Sequence, residues 1–176
     1  MLRSLMLIYL VACQAGPTTF PSDGGPDDAG EEPFVDPVMV LRVIDGDTLE
    51  VRTEVGEDRL RLKGVDTPEM GRRGEPAEPF AEEAKAHIQG RVGIKVGVEF
   101  DRACGSNPLT SEACRDGYDR LLCYVRLADG ADLNEELVRL GYAQVFRMPN
   151  ERFDRQFVYE EAEAAARLER LGIWGP

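Results

Sequence analysis

Three consecutive segments with the residue pattern of β-strands, separated by short turns, constrain the fold of this chain more than any other feature. Residues 38–44 are apolar and rich in β-branched side chains, whereas residues 48–53 and 59–63 alternate apolar with polar side chains. Gly46 between acidic residues marks the first turn, and residues 55–58 have the composition of the second. The sequence therefore predicts a β-meander.

Two more strands and three helices follow. The strands are expected at residues 92–100 and 121–127, and the helices at residues 78–89, 132–141 and 150–171. Asp132 and Asn150 are the predicted N-caps of the last two helices, and Gly141 and Gly172 their ends. Five short strands with inserted and appended helices are compatible with a small closed barrel, although the pattern alone leaves the topology open.

Each predicted helix has an apolar stripe that is expected to face the core. The stripes are Phe80, Ala84 and Ile88 in the first helix, Leu133, Leu137 and Leu140 in the second, and Phe157, Ala164, Leu168 and Leu171 in the third.

The amino terminus has the features of an export signal. Arg3 precedes an apolar run at residues 5–12 that is too short to span a bilayer, so residues 1–12 are expected to be a signal peptide. Leu10-Val11-Ala12-Cys13 resembles the bacterial lipobox, which makes Cys13 a candidate lipid attachment site; the alternative is a plain secretory peptide. Residues 13–37 are predicted to be a flexible acidic tether, followed by a domain at residues 38–176.

The charge of the chain limits how it can bind nucleic acid. The formal net charge is −12, and the sequence from residue 37 onward still carries −7. This charge argues against a large basic surface made for tight, non-specific binding to a duplex. Any site for nucleic acid must depend on local positive charge, assisted by a bound cation.

The cysteines beyond Cys13 suit an exported chain, in which disulfides persist. Cys104 and Cys114 flank a short loop and are the favoured disulfide pair, while Cys123 lies in an apolar strand and is expected to be buried. Three cysteines allow three single bridges, so the pairing stays open. A zinc site is the rival interpretation, but neither the cysteine spacing nor the single histidine, His87, supports it.

Four carboxylates lie close to strand ends: Asp45, Asp47, Asp66 and Glu69. Clustered carboxylates raise one another's pKa unless a cation neutralises them, and oxygen ligands suit calcium or magnesium. The alternative is that these acids are ordinary turn and cap residues. Arg61, on the strand that leads to Asp66, adds a guanidinium suited to phosphate.

The single histidine also limits the chemistry. It excludes catalysis by a histidine pair and metal motifs that require several histidines. A carboxylate is therefore the best available general base.

The motifs containing these residues resemble the staphylococcal nuclease (thermonuclease) family. The matching segments are residues 44–48, 61–69, 117–120, 133–138, 141–143 and 171–174, in the family's order and spacing. The resemblance implies an α+β fold, a five-stranded OB-fold barrel with three α-helices.

The same resemblance implies a calcium-dependent nuclease that acts on DNA and RNA and leaves 3′-phosphate products. Asp47 and Asp66 would bind Ca²⁺ through carboxylates and Thr67 through its carbonyl, with Asp45 as a supporting acid. Glu69 would be the general base that activates water, and Arg61 and Arg120 would hold the phosphate.

The chain departs from the family in two places. Asp119 stands where the family commonly has glycine before its second arginine, and residues 144–150 lack the tyrosines that contact nucleotide. Because adjacent strand residues point to opposite faces, Asp119 is expected to face away from Arg120. Tyr118, Phe146 and Arg147 remain as possible substrate contacts, and the loop containing Arg72 and Arg73 could supply local positive charge.

These observations predict an extracytoplasmic nuclease, lipid-anchored through Cys13 or otherwise secreted or periplasmic. Nucleic acid is the expected substrate, and a monomer without an obligate protein partner is the expected state. The first alternative is a catalytically weak OB-fold module that binds single-stranded nucleic acid or a protein. The second is a metal phosphoesterase acting on small phosphates.

Overall fold

The computed structural model of the protein describes residues 34–71, 74–147 and 152–176. The predicted signal peptide, Cys13, residues 13–33 of the tether, Arg72, Arg73 and the predicted cap Asn150 lie outside these ranges. Within the described ranges, no helix combines the length and apolar character needed to cross a lipid bilayer.

Five strands form a closed barrel in the order β1-β2-β3-β6-β5. They are β1 (Phe34–Val43), β2 (Thr48–Thr53), β3 (Gly56–Leu62), β5 (Lys95–Glu99) and β6 (Leu121–Arg126). Two short strands, β4 (Val65–Asp66) and β7 (Gln144–Val145), pair beside it. The helices are α1 (Ala81–Arg91), α2 (Leu133–Arg139) and α3 (Gln156–Glu169). The predicted α+β fold, a five-stranded OB-fold barrel with three α-helices, is confirmed.

The first strand begins at Phe34, earlier than the predicted start of the domain at residue 38. Phe34 and Val35 pair with Glu99 and Val98 of β5, so the residues just before Val38 belong to the barrel rather than to the tether. The register shifts between Val35 and Val38, where Asp36-Pro37 interrupts the ladder. Proline has no backbone N–H to donate, which explains the irregularity and also why the sequence resembles a linker.

The barrel strands bury alternate side chains as the sequence pattern predicts. Leu49 and Val51 of β2, Leu60 and Leu62 of β3, and Val96 and Val98 of β5 all lie in the core. Cys123 is also fully buried, as predicted, and burial raises the pKa of its thiol. Cys104 and Cys114, whose Cα atoms are 5.3 Å apart, form the favoured disulfide.

The first two helices follow the prediction with shifted ends. α1 begins at Ala81 rather than at residue 78, because Phe80 adopts a left-handed conformation that ends the preceding turn. Asp132 caps α2, since its carboxylate accepts the backbone N–H groups of Asn134 and Glu135. Ala84, Ile88, Leu133 and Leu137 are buried as expected, whereas Phe80 is only partly buried and Leu140 is exposed.

The predicted buried stripe of the third helix is wrong. Phe157 and Leu168 are 70% and 86% exposed, and the buried face consists of Tyr159, Ala162, Glu163 and Ala166. Glu163 can face inward because its carboxylate accepts the backbone N–H of Val145 at 2.8 Å, and Tyr159 donates to Asp132 at 2.9 Å. Hydrogen bonds thus compensate for burying polar groups that hydropathy assigns to the surface.

Candidate active site

The turn between β1 and β2 brings Asp47 against the segment after β4. Gly46 makes this possible, because a Cβ atom there would lie 2.6 Å from Oγ1 of Thr67. The backbone N–H of Asp47 donates to Oδ1 of Asp45 at 3.3 Å, and the Asp47 carbonyl accepts from the N–H of Leu62 at 2.9 Å. The turn is therefore tied both to itself and to β3.

Asp47 is a buried carboxylate at the centre of the site. Its Oδ2 lies 2.6 Å from Nη1 of Arg61 and accepts hydrogen bonds from the N–H and hydroxyl of Thr67 at 3.4 and 3.2 Å. Burial raises the pKa of Asp47 to about 6; Arg61 opposes the rise and the charge of Asp45 adds to it. A cation beside this group would stabilise its ionised form.

Arg61 lies between two carboxylates. Besides Asp47, its Nη2 contacts Oδ1 of Asp66 at 3.4 Å, and its Nη1 donates to the carbonyl of Val65 at 2.9 Å. The other oxygen of Asp66 accepts from Gln144 of β7 at 3.1 Å. The two acids predicted from the sequence thus meet around this arginine.

Arg120 reaches the same place from a distant part of the chain. The parallel pairing of β3 with β6 sets Leu60 beside Leu121, which brings Arg120 next to the second half of β3. Nη1 of Arg120 donates to the hydroxyl of Thr48 at 3.3 Å, and that hydroxyl donates to Oδ1 of Asp47 at 3.0 Å. Thr48 stood in the recognised motif, but the sequence analysis gave it no role.

The loop before Arg120 holds its guanidinium from the other side. Oδ2 of Asp116 accepts from Nε at 2.8 Å and pairs with Nη2 at 2.7 Å, while Oδ1 accepts the backbone N–H groups of Tyr118 and Arg120. Burial alone would raise the pKa of Asp116, but these contacts with Arg120 hold it below its ordinary value. Asp116 was not among the residues predicted from the sequence, although its position four residues before Arg120 in a turn was an available signal.

Asp119 is adjacent to Arg120 in the sequence, but its carboxylate pairs with a different arginine. It has a φ of 61° and is 81% exposed, and its carboxylate lies 3.3 Å from Arg115. A left-handed turn, rather than the predicted strand alternation, directs it away. Arg115 in turn pairs with Asp58 of β3 at 2.7 Å and follows Cys114 of the disulfide directly, so the loop is fastened to the barrel.

Glu69 is exposed beyond β4, on one side of the arginines. Its backbone N–H donates to Oε2 of Glu78 at 2.9 Å, and its carbonyl accepts the N–H of Glu78 at 3.0 Å, which fixes the segment just before α1. Glu69, Tyr118, Arg120 and Arg59 line a cleft of about 470 Å³.

A second cleft, of about 540 Å³, opens on the other side of Tyr118 and Arg120. Its lining includes Arg61, Phe146 and also Phe153, which the sequence analysis did not select. Tyr118 is 75% exposed, and its ring lies 5.5 Å from the Arg120 guanidinium.

Arg147, the remaining predicted substrate contact, lies against α3. Arg147 pairs with Glu160 and Glu163 of α3 at 3.1 and 3.0 Å. The structure therefore brings together Arg61, Arg120, Asp47, Asp66 and Thr67. Glu69 lines the first cleft together with Arg120, and Arg147 lies against α3.

The donor set fits a hard cation. Asp47 and Asp66 offer carboxylate oxygens, and Thr67 can add its carbonyl oxygen, all ligands suited to calcium or magnesium. No group of three or more acidic, histidine or cysteine side chains gathers closely enough to hold a metal within the described residues. Water and a substrate phosphate would have to complete the coordination, as is common for such ions.

Comparison with known proteins identifies relatives over most of the chain. The family model described as "Staphylococcal nuclease homologue" matches residues 59–176. A thermonuclease of Staphylococcus intermedius is 34% identical over 141 residues, covering 77% of this chain and 74% of that protein. Endonuclease YncB of Bacillus subtilis is 34% identical over 154 residues, with 86% and 67% covered. Endonuclease Htp3 of Saprolegnia parasitica is 33% identical over 155 residues, with 77% and 68% covered. The chain therefore belongs to the staphylococcal nuclease family.

Proposed function

We propose that this protein is a calcium-dependent nuclease that hydrolyses phosphodiester bonds of DNA, RNA or both. The observation that carries the proposal is the line of contacts from Arg120 through Thr48 and Asp47 to Arg61. Two arginines and a buried acid thus converge, and one of the arginines, Arg120, lines a cleft together with Glu69.

The acids and the arginines of the site have separate roles in the proposed reaction. Asp47, Asp66 and the Thr67 carbonyl would hold calcium, with Asp45 as a supporting acid, and the ion would supply electrostatic stabilisation of the phosphate charge. Arg61 and Arg120 present forked guanidinium groups to the phosphate and stabilise the charge that develops on its oxygens.

Glu69 is the general base of the proposed reaction. Its carboxylate takes a proton from a water molecule, whose oxygen attacks phosphorus in line with the bond to the 5′ oxygen. That bond breaks as the new one forms; the 5′ oxygen takes a proton from solvent, and the phosphate remains on the 3′ oxygen.

The test uses the purified full chain and single-stranded DNA. We expect cleavage with calcium, none with a chelator, and a loss of about 10²–10⁴-fold in kcat for Glu69→Gln. Arg61→Ala and Arg120→Ala should each be severely impaired, and end-group analysis should find 3′-phosphates. Glu82→Gln, on the exposed first turn of α1, makes the same charge change and should retain activity.

Two results would redirect the assignment. Full activity in Glu69→Gln would remove that residue from the role of base. Absence of cleavage with any divalent ion, together with retained binding to DNA, would favour the alternative of a binding module.

Export and lipid attachment complete the proposal. The basic and apolar pattern of residues 1–12 supports a signal peptide, and the disulfide suits an oxidising compartment. Labelling of cells with a radioactive fatty acid should mark the wild-type protein but not the Cys13→Ala variant. An unlabelled, secreted chain would instead indicate a plain secretory peptide.

A further inference from the structure

Arg59 lies beside the proposed phosphate-binding arginines because of the strand register. It precedes Arg61 by two residues on β3, so both project from the face opposite the buried Leu60 and Leu62. Leu60 pairs with Leu121 in the parallel ladder, which sets the residue before each, Arg59 and Arg120, next to one another. Arg59 also lines the cleft that contains Glu69.

The guanidinium of Arg59 differs from those of its neighbours in its partners. Arg61, Arg115 and Arg120 each pair with a carboxylate, whereas no carboxylate among the described residues lies within 4.0 Å of Arg59. Its side chain donates from Nη2 to the carbonyl of Tyr118 at 3.1 Å. A guanidinium has five N–H donors, so this hydrogen bond orients the group and leaves several donors for a ligand.

The acids on one side of Arg59 are already matched with other arginines. The acids lining the shallow depression on its other side are Glu50, Glu57, Asp58 and Asp119. Glu50 pairs with Arg42, and Glu57 pairs with Arg52. Asp58 and Asp119 both pair with Arg115. These four acids therefore leave the charge of Arg59 available to an anion. The cleft that Arg59 lines also contains Glu69, Glu75 and Glu78, of which Glu78 accepts the backbone N–H of Glu69.

We propose that Arg59 forms a second phosphate subsite, which binds a phosphate next to the one being cleaved. The inference rests on the proposed nuclease function and deepens it. Same-face positions on a strand are about 6.6 Å apart, so Arg59 and Arg61 can each meet a different phosphate along one polynucleotide strand. The preferred substrate class is then a nucleic acid chain with flanking phosphates rather than a small, isolated phosphodiester.

The first experiment compares a dinucleotide, which has one phosphodiester, with a trinucleotide, which has two. Wild type should have a higher kcat/KM on the trinucleotide, mainly through KM. The ratio of the two kcat/KM values should fall roughly tenfold in Arg59→Gln. Arg59→Lys keeps the charge but loses the fork, and should recover part of the ratio.

Binding provides a readout that does not depend on cleavage. In the Glu69→Gln background, Arg59→Gln should weaken binding of a short single-stranded oligonucleotide. The negative slope of log affinity against log salt concentration should become less steep by about 0.7, as expected when one phosphate contact to a single strand is lost.

Arg170→Gln is the matched control, because Arg170 is an exposed arginine at the end of α3 with the same charge change. It should keep the wild-type ratio and salt slope. An unchanged ratio in Arg59→Gln, or an equal effect of both substitutions, would overturn the subsite. Failure of wild type to cleave single-stranded DNA as well as both short substrates would instead refute the proposed nuclease function, whereas cleavage of DNA with no preference for the trinucleotide would overturn the subsite alone. If Arg59→Gln does not fold, Arg59→Lys becomes the test of the subsite. Its ratio of kcat/KM on the trinucleotide to that on the dinucleotide must then be lower than in wild type.

Discussion

Arg120 depends on one neighbouring carboxylate for its position. Asp116 holds both the guanidinium and the backbone of the turn. In Asp116→Asn, the amide oxygen can still accept the backbone N–H groups, but the amide nitrogen faces the guanidinium as a donor. We expect kcat on single-stranded DNA to fall by about 10- to 100-fold, since small misplacement of a positioning group is costly. Steady-state kinetics would measure the fall in kcat, and thermal unfolding would show whether the variant is still folded.

Asp119→Asn is the control for this substitution. It removes the same charge from the same loop, but Asp119 is exposed and pairs with Arg115 rather than Arg120. Asparagine also tolerates the left-handed conformation at this position. Equal activity in the two variants would show that Arg120 does not need Asp116.

At the scale of residues, the sequence predicted the groups with distinctive chemistry and missed those that position them. Arg61, Asp47 and Asp66 follow from motif spacing, and the structure brings them together. Thr48 and Asp116 act through hydrogen bonds to residues far away in sequence or across a turn. Such partners are fixed by strand register and loop conformation, which residue spacing does not reveal.

At the scale of elements, the segment between β5 and β6 carries the proposed site's second arginine. Three short 3-10 turns, at Arg102–Cys104, Pro108–Thr110 and Glu112–Cys114, replace regular structure there. The Cys104–Cys114 disulfide closes this loop with a sequence separation of 10 residues. The backbone hydrogen bonds within these turns are local and join residues three apart, so the cross-link takes a larger share in holding the turns together.

The double variant Cys104→Ser/Cys114→Ser tests this role. Loss of a cross-link over a loop of this size should lower the free energy of unfolding by about 3 kcal/mol. We also expect lower kcat, because Arg120 follows the loop. Urea unfolding and DNA cleavage measure the two effects, with Cys123→Ala as a control that leaves the disulfide intact. Unchanged stability and activity in the double variant would rule the role out.

The strands and helices differ in how well their structure could be predicted from their own sequences. Strand alternation and the Asp132 cap are local properties, and both were predicted. The buried face of α3 is set by partners elsewhere, since Glu163 is satisfied by Val145 of β7. Apolar periodicity therefore selected the wrong face, with Phe157 on it, because a hydrogen-bonded acid has no hydrophobic signature.

At the scale of the whole molecule, ionised groups connect the barrel to the helices. Glu99 of β5 pairs with Arg126 and also contacts Arg155 beside α3, while Glu136 of α2 pairs with Arg91 of α1. Burial alone would raise the pKa of Glu99, but the two arginines hold it below its ordinary value. Hydrogen bonds from Arg91 lower the pKa of Glu136 in the same way.

These pKa directions predict opposite effects of pH on stability. For Glu99 and Glu136, the stabilisation is complete above the unfolded pKa of about 4.5 and is lost as pH falls through their lowered folded values. Asp47 acts in reverse. Its pKa is raised from 3.8 to about 6, so its contribution is complete below 3.8 and is lost as pH rises through about 6. Without a cation, the free energy of unfolding should therefore be greatest at about pH 4 to 5, where Glu99 and Glu136 keep most of their stabilisation and the decline due to Asp47 is only beginning.

Calcium should change this profile selectively, because it would favour the ionised form of Asp47. Urea unfolding from pH 3 to pH 8 should show little effect of calcium at the acid end and an increasing stabilisation above about pH 6. In Asp47→Asn, the decline between pH 4 and 6 should flatten and the calcium effect should disappear, while the acid limb from Glu99 remains. Glu99→Gln should flatten the acid limb and leave the calcium effect. Calcium stabilisation that is equal at pH 4 and pH 8 would contradict a site built on the buried Asp47.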